Sequence, residues 1–249
     1  MTQTPLAFDF TGKRALVTGG SRGFGAVLSR RLAAAGAHVF INYLRDDATA
    51  ERTVEEIRNG GGSATLVKAN LVHAAEIESM FGQVAGSGSL DILIHNAALG
   101  AFKPTLGVRA NQWDLSMAVN ARALLLCAQK AVPLMEGRPG RIVSMSSLGS
   151  GRVLPSYGAI GPTKAALESL TRYLAAELWP RGITVNAVSA GLIAGTSIAQ
   201  HPFHDSLLSK TGAADPDAVA SVVLFLCSPL AGWIVGQTIV ADGGFSLGV

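Results

Sequence analysis

Seven apolar runs of strand length alternate with longer helical patterns along this chain, and that alternation restricts the fold more than any other feature. The runs cover 14–18, 38–43, 64–68, 91–95, 140–146, 184–188 and 238–240. Helical patterns lie between them over 24–35, 48–59, 74–84, 111–135, 157–178 and 216–227, with stop signals such as Gly36 and Asn59-Gly60. Strands that are apolar throughout, separated by helices, belong to a parallel sheet covered on both faces. Right-handed crossovers then give a doubly wound, Rossmann-type α/β sheet of about seven strands flanked by helices on both faces. The 249 residues are 49% hydrophobic and only 15% charged, which suits one large core. With no repeat and no dividing linker, residues 1–249 are expected to form a single domain. The least regular stretch, 193–214, lies beyond a strand end and is expected to be a substrate lid.

Charge and composition narrow the function classes. The net charge is +3 and the basic residues are scattered, so no nucleic-acid face is expected. The opening MTQTPLAFDF lacks the parts of a signal peptide, and the most apolar stretches fall short of the roughly 20 residues that span a bilayer. A cytoplasmic protein without a membrane partner is expected. Cys127 and Cys227 sit in apolar helical patterns and read as buried, reduced thiols. His201 and His204 have no Cys or acid pair to complete a metal site, so no metal is expected. Trp113, Trp179 and Trp233 are expected to be packing residues.

The first strand runs directly into Thr18-Gly19-Gly20-Ser21-Arg22-Gly23-Phe24-Gly25. Gly19 allows a tight turn, Gly23 allows close approach to a pyrophosphate, and Gly25 lets the next helix pack closely. The start of that helix offers free N–H groups and a positive dipole end. Between a strand and a helix, this cluster points to a dinucleotide. A preference for NAD needs an acid at the end of the second strand, to hold the ribose 2′-hydroxyl. The strand ends instead at Ile41-Asn42-Tyr43-Leu44-Arg45, and Asp46 and Asp47 read as helix caps. Arg22 and Arg45 can bracket a 2′-phosphate, so the expected cofactor is NADPH.

A second constellation follows the fifth strand. Ser144-Met145-Ser146-Ser147 leads into a glycine-containing loop and then Ser156-Tyr157-Gly158-Ala159-Ile160-Gly161-Pro162-Thr163-Lys164. On one continuous helix, Tyr157 and Lys164 are nearly two turns apart and share a face. A phenol beside an ammonium can gain phenolate character and can donate a hydrogen bond to a carbonyl that gains charge. Such a pair also occurs on ordinary surfaces. Its place, one strand–helix unit after Asn96-Ala97-Ala98, favours a site.

Together these residues resemble the short-chain dehydrogenase/reductase superfamily over nearly the whole chain. The glycine loop, Asn70-Leu71, Asn96-Ala97-Ala98, Asn120, Ser147, Lys164, Asn186 and Ala241-Asp242-Gly243-Gly244 carry the likeness. Most members place a tyrosine four residues before the lysine, where this chain has Ile160. The spacing from Tyr157 to Lys164 is similar to that of the superfamily's enoyl-acyl-carrier-protein reductases, and most similar to the NADPH-dependent FabL-like branch. The resemblance implies Tyr157, Lys164 and Ser147 as the catalytic set. It implies cofactor contacts from Gly19, Ser21, Arg22, Gly23, Phe24, Tyr43, Arg45, Asn70, Leu71, Asn96, Ala97, Ala98, Lys164, Gly191 and Ile193. It further implies hydride transfer from NADPH to the β-carbon of an enoyl thioester, with Tyr157 on the thioester oxygen and Lys164 on the nicotinamide ribose. Moving the phenol one helical turn, about 5.4 Å, suits a reacting carbon farther from that oxygen. The acyl group would ride on a thioester carrier, with an acyl carrier protein as one possibility, and the subunits would form a homotetramer.

Some features depart from the family pattern. Gly161-Pro162 would lie inside the helix and is expected to kink it. Ser189-Ala190-Gly191-Leu192-Ile193 lacks the usual proline, and Thr196 falls one position late. The principal alternative is a 3-ketoacyl or ketone reductase, or alcohol dehydrogenase, of the same superfamily, which Ser147 favours and Ile160 disfavours. A non-catalytic NADPH-binding sensor is a further alternative, disfavoured by retention of Tyr157 and Lys164. Asp242 is expected to tie down the final loop, and Arg122 and Lys130 to lie on a solvated helix face.

Overall fold

The computed structural model describes residues 8–196 and 212–247. Its strands are β1 (Arg14–Val17), β2 (His38–Tyr43), β3 (Ser63–Lys68), β4 (Ile92–His95), β5 (Gly140–Ser147), β6 (Ile183–Ala190) and β7 (Thr238–Ala241). All pair in parallel, in the order β3-β2-β1-β4-β5-β6-β7. The chain therefore reverses direction across the sheet between β1 and β4, and the crevice at the carboxyl ends of those strands is where such sheets bind ligands.

Helices α1 (Gly23–Ala34), α2 (Asp47–Asn59) and α7 (Pro216–Cys227) cover one face. Helices α3 (Ala74–Gly86), α5 (Ala123–Ala131) and α6 (Gly161–Leu178) cover the other. Side chains alternate across the pleat, so Ala15 and Val17 of β1 enter one core with Leu28, Leu32 and Val223. Leu16, between them, enters the other with Phe40, Ile77 and Leu124. Burial on both faces is why the strands read as continuous apolar runs.

Two helical expectations need correction. The pattern over 111–135 is broken into α4 (Ala110–Met117), a π-helical turn (Ala118–Arg122), α5 and a closing 3-10 turn (Val132–Met135). The π turn contains Asn120, whose fully buried side chain accepts from Leu99 N and donates to Leu99 O and Thr163 Oγ1 at 2.8–2.9 Å. A buried amide needs these partners, and the wider turn brings it to them. The helix expected over 157–178 starts instead at Gly161. Pro162 thus stands in the first turn, where a missing N–H leaves no helical bond unmade, and the expected kink does not arise.

Tyr157 consequently lies in the turn before α6, and it does not share a helix face with Lys164. Ser156 holds a left-handed φ of +57°, and its carbonyl accepts from Lys103 N at 3.0 Å. The carbonyl of Tyr157 then accepts from Ile160 N and Gly161 N at 2.9 and 2.8 Å, feeding the chain into α6.

Around the expected lid, residues 197–211 fall outside the described residues, and with them His201 and His204. The flanks are joined: Ala194 N donates to Ala214 O, and Ala214 N to Leu192 O. Cys127 and Cys227 are both buried and unbridged. No helix among the described residues is long and apolar enough to cross a membrane. The tryptophans are not core residues, since Trp233 is 88% exposed and Trp113 and Trp179 are about half as exposed. Trp179 and Trp233 meet edge to face at 5.5 Å.

Candidate active site

The glycine loop is knitted to three strand ends. Thr18 Oγ1 accepts from Asn96 N and Ala97 N at 3.0 and 3.1 Å, while Asn96 Nδ2 donates back to Thr18 O and Gly19 O. Asn42, buried in β2, accepts from Gly19 N at 3.2 Å and donates to Val67 O and Ala69 O. Gly19 takes a φ of +60°, turning the chain out of β1. A Cβ on Gly25 would stand 2.1 Å from Gly19 O, so only glycine lets the start of α1 lie on the loop. No side chain caps α1, because its N-cap is Arg22. The first N–H groups of α1 are therefore left for an anion, which fits a dinucleotide pyrophosphate.

The ribose end fits a phosphate better than a hydroxyl. Asp46 caps α2, accepting from Thr49 N and Oγ1 at 3.0 and 2.7 Å. Asp47 pairs with Lys68 at 2.7 Å, and Lys68 lies 5.5 Å from the centre of the Tyr43 ring. Asp46 takes the capping role expected of it, whereas Asp47 does not cap the helix and is held by Lys68 instead. Arg22 and Arg45 are exposed on this side. Asn70 closes the turn after β3, accepting from Val72 N at 3.0 Å, with Leu71 buried beside it. Ser21 is buried, and its carbonyl accepts from Thr53 Oγ1.

The cleft beyond β4 and β5 has a volume of about 350 Å³. Its apolar wall comprises Leu99, Phe102, Leu154, Ile160, Leu192 and Phe245. Tyr157, Ser147 and Lys164 form its polar end. Arg22, Phe24, Asn96, Ala98, Gly191 and Ile193 also border it, so with Lys164 seven of the fifteen expected cofactor contacts converge there; Gly19, Ser21, Gly23, Tyr43, Arg45, Asn70, Leu71 and Ala97 lie outside its lining. Among the chain's three tyrosines, Tyr157 alone reaches the cleft. Its ring is tilted against Phe102 at 5.9 Å between centres.

The electrostatics differ from the expected phenolate pair. Burial pushes the Tyr157 phenol above its usual range, and the Ser147 side chain offsets part of that rise. With its pKa raised by burial, the phenol stays a neutral donor. Lys164 is buried, and one of its three N–H donors goes to Met145 O at 2.7 Å. Burial lowers its pKa to about 8, against the opposing charge of Glu168.

His95, buried at the end of β4 and outside the cleft lining, is a polar residue that the motif patterns do not single out. Both lone pairs of Thr18 Oγ1 are taken by main-chain N–H groups, so its own proton points to His95 Nδ1, 3.4 Å away. That leaves a neutral imidazole with its proton on Nε2. Nε2 faces the main chain of Val119 and Asn120 without a hydrogen bond of full geometry. Burial first, then the charge of Lys164, pushes the His95 pKa down to about 4. The available signal was a polar residue ending an apolar strand, Ile-Leu-Ile-His; Asn42 in β2 carries the same signal.

Asp242 ties the final loop, accepting from Gly244 N and Ser246 N at 3.0 and 2.7 Å. Arg122 is engaged with Val72 O at 2.6 Å, and Lys130 with Glu78. No cluster of three or more metal-ligating side chains occurs among the described residues.

A glycine turn after β1 facing a tyrosine–serine–lysine cluster across the switch point of this strand order places the chain among the short-chain dehydrogenases/reductases, a superfamily of oxidoreductases. Within it, the chain belongs to the family described as Enoyl-(Acyl carrier protein) reductase, whose model matches residues 19–246. It is 40% identical over 242 residues to 1-cyclohexenylcarbonyl-CoA reductase of Streptomyces collinus, covering 93% of this chain and 86% of that one. It is 36% identical over 240 residues to 3-oxoacyl-[acyl-carrier-protein] reductase FabG of Staphylococcus aureus, covering 93% and 97%. Angucycline C-6 ketoreductase LanV, solved with bound NADP, superposes with a TM-score of 0.90 at 35% identity, covering 96% of this chain and 98% of that one. These relatives do not single out the FabL-like branch, and ketoreductases are prominent among them.

Proposed function

We propose that this protein is an NADPH-dependent reductase of the carbon–carbon double bond in enoyl thioesters. The observation that carries the proposal is the replacement of the family's usual tyrosine by Ile160, buried in the apolar wall, while Tyr157 enters the cleft from the preceding turn. Relatives support both the cofactor and the substrate. LanV and a Burkholderia cenocepacia dehydrogenase are solved with NADP. A 1-cyclohexenylcarbonyl-CoA is itself a thioester conjugated to a double bond.

When bound, NADPH supplies the hydride. The uncapped start of α1 holds its pyrophosphate, and Arg22 and Arg45 hold the 2′-phosphate. Lys164 donates to the nicotinamide ribose. Tyr157 donates its phenolic hydrogen bond to the thioester oxygen, stabilising the negative charge that collects there as the enolate forms. Ser147 orients the phenol. The apolar wall takes the acyl chain and keeps water from the reacting carbon. The acyl group is carried by coenzyme A or an acyl carrier protein, in fatty-acid or polyketide-like biosynthesis. The protein works as a cytoplasmic homotetramer.

The presence of the Ser147 hydroxyl beside Tyr157 in the cleft favours a second reading, reduction of a 3-ketoacyl thioester or other ketone, because it offers two hydroxyls to one carbonyl oxygen. Absorbance of NADPH followed with crotonyl-CoA and, separately, acetoacetyl-CoA distinguishes the two. The proposal expects oxidation with crotonyl-CoA, reduced in Tyr157→Phe by about 10²–10⁴-fold. Faster turnover of acetoacetyl-CoA would overturn it.

A further inference from the structure

Two charged residues on one face of α6 grip the end of β5 and the turn beyond it. Lys164 and Glu168 are four residues apart, so their side chains are neighbours. Lys164 holds Met145 O. One carboxylate oxygen of Glu168 accepts from Ser146 Oγ at 2.5 Å and from Ser150 Oγ at 2.6 Å. Between those serines runs the 3-10 turn Leu148–Ser150, and Gly149 lies directly against the Tyr157 ring. A Cβ on Gly149 would fall 2.4 Å from Tyr157 Cδ1, and one on Gly161 would fall 2.6 Å from Gly149 O. The turn is thus the seat of the phenol, and Ser147 lies within the span that Glu168 closes.

We infer that Glu168 is a positioning residue of the active site, clamping the 146–150 segment beneath Tyr157 while keeping a negative charge beside Lys164. Nothing in the proposed reaction uses Glu168, and the inference holds for reduction of either a double bond or a ketone. The ionisable groups around Lys164 are His95 from β4, Glu168 from its own helix and Tyr157 from the turn before it. Arg22 and Asp242 border the same cleft. His95 is neutral above about pH 4, and Tyr157 is neutral as a buried phenol, so Glu168, one helical turn away, is the charge that compensates Lys164.

NMR of protein labelled with 13C at lysine Cε, assigned with Lys164→Arg, reads the Lys164 titration without substrate. Failure here is therefore separable from failure of the proposed reaction. Glu168→Gln keeps an oxygen for both serines and removes the charge, so the midpoint should fall by about half a pH unit or more. Glu168→Asp should restore most of that shift. An unchanged midpoint in Glu168→Gln would overturn the electrostatic half of the inference. The clamp is tested by the double variant Ser146→Ala/Ser150→Ala, which leaves the carboxylate in place. Its kcat should fall about tenfold with KM for NADPH changed less than about twofold, as expected when only positioning at the reacting atoms is lost. An unchanged kcat, or a loss confined to thermal stability, would overturn the clamp. Should Glu168→Gln fail to fold, Glu168→Asp read against wild type decides the electrostatic half, because a shorter carboxylate farther from Lys164 must lower the midpoint.

Discussion

Lys164 and His95 are buried bases, and both favour their neutral forms more in the folded protein than in the unfolded chain. For Lys164, whose pKa is about 8 against an ordinary 10.5, the unfolded chain binds the extra proton between those values. Stability should therefore rise with pH across that window, and Lys164→Met should abolish the rise in urea unfolding followed at successive pH values. Activity should run the other way, falling as pH passes upward through about 8, because the ammonium donor is lost there. His95 titrates near 4 in the fold and 6.5 when free, so the unfolded chain again binds more protons between them. The fold should lose stability as pH falls from 6.5 toward 4, and His95→Asn should flatten that loss. At this scale, Tyr157, Ser147 and Lys164 are legible in sequence by identity. Their electrostatics are not, because the state of the phenol depends on burial and on Ser147, which no spacing reveals.

The start of α6 shows what periodicity can and cannot say about an element. The apolar pattern runs back through Tyr157, so sequence alone extends the helix over it. The left-handed Ser156 and the bond from Lys103 N to Ser156 O make those residues a turn instead. Pro162, in the first helical turn, costs little there. Pro162→Ala should change stability by less than about 1 kcal/mol, against the roughly 3 kcal/mol of an interior proline. Gly149→Ala should place a methyl against the Tyr157 ring, lowering kcat while the far-ultraviolet circular dichroism stays unchanged. The break near Asn120 was equally hidden, since its partners Leu99 and Thr163 come from a distant loop and from α6. Strand positions, by contrast, were legible to within two residues at each end. A parallel sheet buried on both faces writes its strands as apolar runs bounded by turn residues.

Across the whole molecule, one sheet order sets the architecture of the site. Reversal between β1 and β4 opens the crevice, the glycine turn lines one side of it, and the end of β5 with the start of α6 lines the other. Polar residues sewn into apolar strands hold that crevice rigid: Thr18, Asn42 and His95 at the centre, and Asn186 at β6, which binds Ile234 O and Gln237 N. The two thiols lie deep in opposite cores, each pushed up to about 12 by burial, and should resist an aromatic disulfide reagent until the protein unfolds. An enoyl reductase delivers its hydride to the β-carbon of the substrate. NADPH carrying deuterium at the transferred position, turned over with crotonyl-CoA and in parallel with acetoacetyl-CoA, locates the hydride through NMR of each product. Crotonyl-CoA should give butyryl-CoA with deuterium on the β-carbon. Intact crotonyl-CoA, with deuterium instead on the carbinol carbon of 3-hydroxybutyryl-CoA formed from acetoacetyl-CoA, would contradict it.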